Sequence, residues 1–133
     1  MHPPADGDTV TLFVYGTLMR GGVRHRLLAR QRFLGAARTR SGYALYDLGA
    51  YPGMGRRDAE GAAVCGELYE VAVGLLPRLD AAEGAPTLYR REAVEVEGRD
   101  GPVVAYVYQR PTAGRPLCPG GRWSHREAPA HDA

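Results

Sequence analysis

Two short stretches of this chain carry side chains whose types and spacing suit chemistry on a small anionic molecule. The first is Tyr15-Gly16-Thr17-Leu18. It follows an apolar run and precedes a helix-forming segment, where backbone N–H groups are left unpaired and can receive an anion. Gly16 permits a positive φ and close approach of a ligand, Thr17 adds a hydroxyl, and Gly21-Gly22 extend the pliable stretch. A carboxylate is a suitable guest, although a plain strand-to-helix turn would use the same glycine for its geometry alone. The second stretch is Leu75-Leu76-Pro77-Arg78-Leu79-Asp80-Ala81-Ala82-Glu83-Gly84. At about 100° per residue, Glu83 projects between Leu76 and Leu79 on the apolar stripe, with Asp80 at its edge. An acidic side chain aimed with leucines is costly unless paired or used. Desolvation and the negative end of the helix dipole would both raise its pKa and make it a stronger base near neutral pH. The alternative is that Glu83 frays into water beside Gly84.

Other chemistry-bearing residues have weaker patterns. Neither GxxxxGK[ST], GxGxxG nor HExxH occurs, and His2, His125 and His131 make no metal-ligand spacing. His25 could contact a ligand, but a histidine on a surface helix is more often structural. Tyr89 has two readings of equal weight, a hydrogen bond beside Glu83 or packing at a strand start. Arg24, Arg26, Arg30 and Arg32 read as a solvated helix face; no aromatics interleave with them, so no nucleic-acid partner is expected. Trp123 is expected to pin the C-terminal segment to the body.

The elements that must position these groups follow from periodicity. Thr9–Tyr15 is rich in β-branched and aromatic residues and apolar on both faces, as a central strand covered on both sides would be. A helix is predicted over residues 23–31 with Leu27 and Leu28 inward, one or two strands over 33–48, a loop at 49–55, and a strand over 63–71. A second helix over 75–82 opens near Pro77 and closes at Gly84. Strands at 88–97 and 102–110 form a hairpin turning at Gly98-Arg99-Asp100-Gly101. Residues 1–8 read as a disordered leader, 9–124 as one domain and 125–133 as a polar tail. The order β-α-β-β-α-β-β has too few helices for a doubly wound sheet. It predicts an α+β fold, a mixed curled sheet or partial barrel with two or so packed helices.

Composition agrees with one small domain. The 133 residues are 44% hydrophobic, and 18 glycines with 10 prolines favour many turns over long helices. Seventeen basic residues, all arginine, nearly balance 15 acidic ones, leaving a net charge of +2. The absence of lysine points to a GC-rich, bacterial genome. Cys65 and Cys118 match no zinc or redox spacing, and idle thiols in a reducing compartment are expected, with a disulfide as the alternative. No apolar run approaches the roughly 20 residues that span a bilayer. No signal peptide is apparent, so a cytoplasmic location without a membrane partner is expected.

Taken together, several blocks resemble the gamma-glutamylcyclotransferase-like family, particularly its short gamma-glutamylamine cyclotransferase branch. They are Val14-Tyr15-Gly16-Thr17-Leu18-Met19-Arg20-Gly21, His25 with Leu27-Leu28, Gly66-Glu67-Leu68-Tyr69, and Leu79-Asp80-Ala81-Ala82-Glu83-Gly84-Ala85-Pro86 followed by Tyr89-Arg90. The resemblance implies that Tyr15, Gly16, Thr17 and Leu18 bind the γ-glutamyl head of a small-molecule substrate and that Glu83 is the catalytic acid/base. It implies release of 5-oxoproline and a free amine, with neither metal nor organic cofactor. Two positions depart from the family pattern. Arg122, in Gly121-Arg122-Trp123, stands in an acidic slot, and Arg24 stands where many members carry asparagine before the histidine. Both departures could alter the mouth of the expected site, which leaves the identity of the leaving group open. A non-catalytic γ-glutamyl-binding module of the same fold is the other reading.

Overall fold

The computed structural model describes residues 8–124. The expected tail, and the expected leader apart from Asp8, lie outside the described residues. Two β-sheets and one α-helix carry the fold. The strands are β1 (Thr9–Val14), β2 (Arg32–Arg38), β3 (Tyr43–Asp47), β4 (Pro52–Arg56), β5 (Cys65–Ala72), β6 (Tyr89–Ala93) and β7 (Val104–Tyr108), and the helix is α1 (Leu76–Glu83). Five strands form a mixed sheet in the order β2-β5-β1-β7-β6, which does not close on itself, while β3 and β4 pair as a separate ribbon. The expected α+β class on a mixed sheet is observed.

β1 lies at the centre, antiparallel to β5 (Phe13 opposite Leu68) and parallel to β7 (Phe13 opposite Ala105). Leu12 and Phe13, on opposite faces, are both fully buried, as a strand apolar on both sides requires. Gly66 on β5 sits where a side-chain Cβ would collide with the Val14 carbonyl, so glycine is what lets the two strands approach at their end. α1 has proline in its first turn and ends at Gly84, whose φ of 66° lies in the left-handed region that glycine adopts without penalty.

Two expectations need correction. Residues 23–31 do not form an α-helix; only His25–Leu28 coil, as a 3-10 turn. The run is short, no side chain caps it, and Arg24 N–H is instead committed to the Thr17 carbonyl at 2.9 Å. Short helices are marginal, and tertiary ties decide the outcome here. Leu28 is nevertheless buried, as the pattern required. The stretch read as a loop at 49–55 is the turn and most of β4. Its glycine content misled: a Cβ at Gly53 would meet the Tyr108 ring at 2.8 Å, so this glycine marks close packing within a strand. Neither cysteine is in a disulfide among the described residues; Cys118 is buried and Cys65 half-buried.

Candidate active site

Glu83 is the last residue of α1 and points with Leu76 and Leu79 into the interior, only 7% exposed. Gly84 terminates the helix at once: its N–H donates to the Ala81 carbonyl at 3.2 Å, and Ala85 N–H donates to Asp80 at 2.9 Å. The carboxylate is therefore fixed inside, not frayed into water. Burial pushes its pKa above the ordinary glutamate value, and Arg24 opposes that rise. Arg24 Nη1 stands 3.4 Å from Glu83 Oε2.

Opposite it, the Tyr15–Leu18 segment leaves the end of β1 and turns back. Met19 N–H donates to the Gly16 carbonyl at 3.0 Å, closing a four-residue turn. The N–H groups of Thr17 and Leu18, at its centre, have no acceptor among the described residues. The turn is braced from several sides. A Cβ on Gly16 would lie 2.6 Å from Pro52 Cγ, so this glycine serves contact with the ribbon, not a positive φ as its type suggested. His25 Nδ1 lies 3.0 Å from the Leu18 carbonyl and must carry the proton to donate there. Glu67 accepts from Arg20 N–H at 3.0 Å and from the Tyr69 hydroxyl at 3.1 Å. Burial and that carboxylate push the Tyr69 phenol up to about 12. His25 and the Gly66–Tyr69 block thus hold the turn from behind.

Three tyrosines frame the space between turn and helix. The Tyr15 hydroxyl donates to the Tyr106 carbonyl at 2.6 Å and accepts Met54 N–H at 3.2 Å, joining β7 to β4. The Tyr89 hydroxyl donates to the Pro52 carbonyl at 2.6 Å, and the Tyr106 hydroxyl to Asp80 Oδ1 at 2.7 Å. Asp80 is held in turn by Arg91 at 2.8 Å, which keeps its pKa low. Burial raises the pKa of all three phenols, and the Glu83 charge adds to that rise, so they stay neutral at physiological pH.

The result is a pocket open to solvent between the turn, the ribbon and α1. All six residues singled out from the sequence (Tyr15, Gly16, Thr17, Leu18, Glu83 and Tyr89) line it. Sequence reasoning missed Tyr51, Pro52, Leu88 and Tyr106; Arg24, read on a solvated helix face from its neighbours and as a departure at the site's mouth from the resemblance, lines this pocket. Arg26, Arg30 and Arg32 are exposed. With the hydroxyls of Tyr15, Tyr89 and Tyr106 engaged by the frame, the polar groups left for a ligand are the Glu83 carboxylate, the Arg24 guanidinium, the Thr17 and Tyr51 hydroxyls and the turn N–H groups. No serine or cysteine lines the pocket, and no cluster among the described residues could hold a metal ion. This arrangement can hold an anion beside a buried base.

Comparison with known proteins places the chain in one family. Residues 12–125 match the family described as gamma-glutamyl cyclotransferase, AIG2-like. A Vibrio cholerae protein bearing a gamma-glutamylcyclotransferase name is 40% identical over 116 residues, covering 86% of this chain and 96% of its own. The gamma-glutamylaminecyclotransferase of Bos taurus is 36% identical over 117 residues, covering 81% of this chain and 70% of its own. Among solved structures, an AIG2-like protein from Mus musculus superposes with a TM-score of 0.72 at 28% identity, over 90% of this chain and 98% of that one.

Proposed function

The chain belongs to the gamma-glutamyl cyclotransferase, AIG2-like family, and from that premise we propose that it releases 5-oxoproline and a free amine from a small γ-glutamyl compound. In this reading the turn N–H groups of Thr17 and Leu18 hold the α-carboxylate or the oxyanion that develops during attack. Glu83 takes a proton from the substrate's α-ammonium. The freed nitrogen attacks the γ-carbonyl carbon, forming the new N–C bond of a five-membered ring. As the intermediate collapses, the ring nitrogen gives up its second proton, the old C–N bond breaks, and the departing amine takes both protons by way of Glu83 and leaves as its ammonium. No water is consumed, and the carboxylate is regenerated. Proton transfer of this kind is worth about 10²–10⁴-fold. Folding the substrate back on itself contributes further, up to roughly 7–11 kcal/mol in ideal cases. No covalent enzyme intermediate, metal or organic cofactor is called for, and the reaction suits a cytoplasmic enzyme.

The observation that carries this reading is the buried Glu83 carboxylate facing a turn with unpaired N–H groups. Replacing it, Glu83→Gln, should reduce 5-oxoproline release by at least about 10²-fold, read by mass spectrometry on a panel of γ-glutamyl compounds. Undiminished release would end the mechanism. The Arg24–Glu83 contact favours a second reading, a binding module whose base is neutralised by its neighbour. Calorimetric binding of γ-glutamyl ligands by the wild type without any product would establish it.

A further inference from the structure

Arg24 is the sole cationic side chain among the described residues lining the pocket, and the reaction above gives it no part. The chain delivers it there by turning at Gly21-Gly22. A Cβ at Gly22 would collide with the Thr17 carbonyl, the same oxygen that receives Arg24 N–H. Its contact with Glu83 is one N–H at 3.4 Å, long beside the roughly 2.7–2.9 Å of a charge-assisted bond. Among the described residues its guanidinium has no other acceptor, so most of its donors are open. Its side chain is 40% exposed against 9% for Glu83, which puts it at the rim above the base.

We propose that Arg24 sets the substrate class by pairing with a carboxylate on the departing amine, so that γ-glutamyl amino acids are preferred over γ-glutamyl conjugates of uncharged amines. The inference rests on the cyclotransferase reading. Glu83 must reach the departing nitrogen, at about 2.6–3.2 Å, to return its proton. In an amino acid the carboxylate carbon lies about 2.5 Å from that nitrogen, two bonds away. It therefore falls near a guanidinium that stands 3.4 Å from Glu83 Oε2. A carboxylate there draws Arg24 off Glu83, which both anchors the leaving group and frees the base. An alkylamine does neither.

The test compares kcat/KM for γ-glutamyl-alanine and γ-glutamyl-ethylamide, two substrates that differ only in that carboxylate. The wild type should prefer the former by about tenfold or more. Arg24→Met should bring the ratio near one, and Arg24→Lys should keep part of it. Because the ratio is taken within one preparation, it does not depend on how much of a variant folds. A wild-type ratio near one, or a preference that survives Arg24→Met, overturns the assignment. An equal loss on both substrates also overturns it, by placing Arg24 on the glutamyl head. Release only from γ-glutamyl conjugates of other kinds overturns this inference alone. Absence of 5-oxoproline from every γ-glutamyl compound overturns the reaction beneath it.

Discussion

Glu83 is held where its charge is unwelcome. Its pKa is raised by burial despite Arg24, so it binds a proton more tightly folded than unfolded. The stability it contributes is complete below its unfolded pKa and is lost as pH rises through the folded one. Glu83→Gln keeps the neutral form at every pH. The variant should therefore melt at or above the wild type near pH 8, and the advantage should vanish in acid below that raised pKa. Melting curves across that range check the sign, which reverses if Arg24 outweighs burial. Activity should follow the opposite course, with kcat/KM rising as the carboxyl ionises above the ordinary glutamate range. Arg24→Met should move that rise to higher pH, because Arg24 lowers the pKa. The orientation of Glu83 was legible in sequence because a helix repeats every 3.6 residues and Leu76, Leu79 and Glu83 obey that period. The contact of Arg24 was not, since it meets Glu83, 59 positions away in sequence, through a turn that no local pattern announces.

The turn after β1 and the β3–β4 ribbon are fitted to one another. Gly16→Ala would drive a methyl group into the Pro52 ring, and overpacking of this kind costs about 1–3 kcal/mol. The expected result is a lower melting temperature together with reduced kcat/KM, as the turn withdraws from Glu83. Tyr15→Phe keeps the ring in the wall but orphans Met54 N–H and the Tyr106 carbonyl. A loss of about 1–3 kcal/mol follows from buried groups left unpaired, and hydrogen exchange should quicken at Met54 ahead of the rest of the core. The strongly apolar strands and α1 were legible from alternation, proline and glycine. β4 was hidden because Gly53 answers to Tyr108 and Leu48, partners distant in sequence or across a turn. The helix expected at residues 23–31 failed for a related reason: ties to Thr17 and Leu18 outweigh the modest propensity of a short run.

At the scale of the molecule, the pocket is walled by the end of β1, the ribbon, α1, β6 and β7. A ligand seated there touches both sheets at once. Saturation with 5-oxoproline should raise the melting temperature by a few degrees, since about 2.7 kcal/mol accrues at a hundredfold excess over Kd. Hydrogen-exchange protection should increase in β4 as well as at the end of α1. Protection confined to α1 would show that the ribbon takes no part in binding. The fold class was legible because the count of helices was too small for a doubly wound sheet. The parallel pairing of β1 with β7 was not, because it joins the two ends of the chain and leaves no local signature.

The ribbon shares no ladder with the five-stranded sheet. Tyrosine hydroxyls tie it there at Pro52 and Met54. Sequence drift along β3 and β4 can thus reshape one wall of the pocket while the backbone pairing of β1 and β7 stays intact. Such a division lets new substrate ranges evolve by exchange of a single hairpin, with Glu83 and the Tyr15–Leu18 turn inherited unchanged.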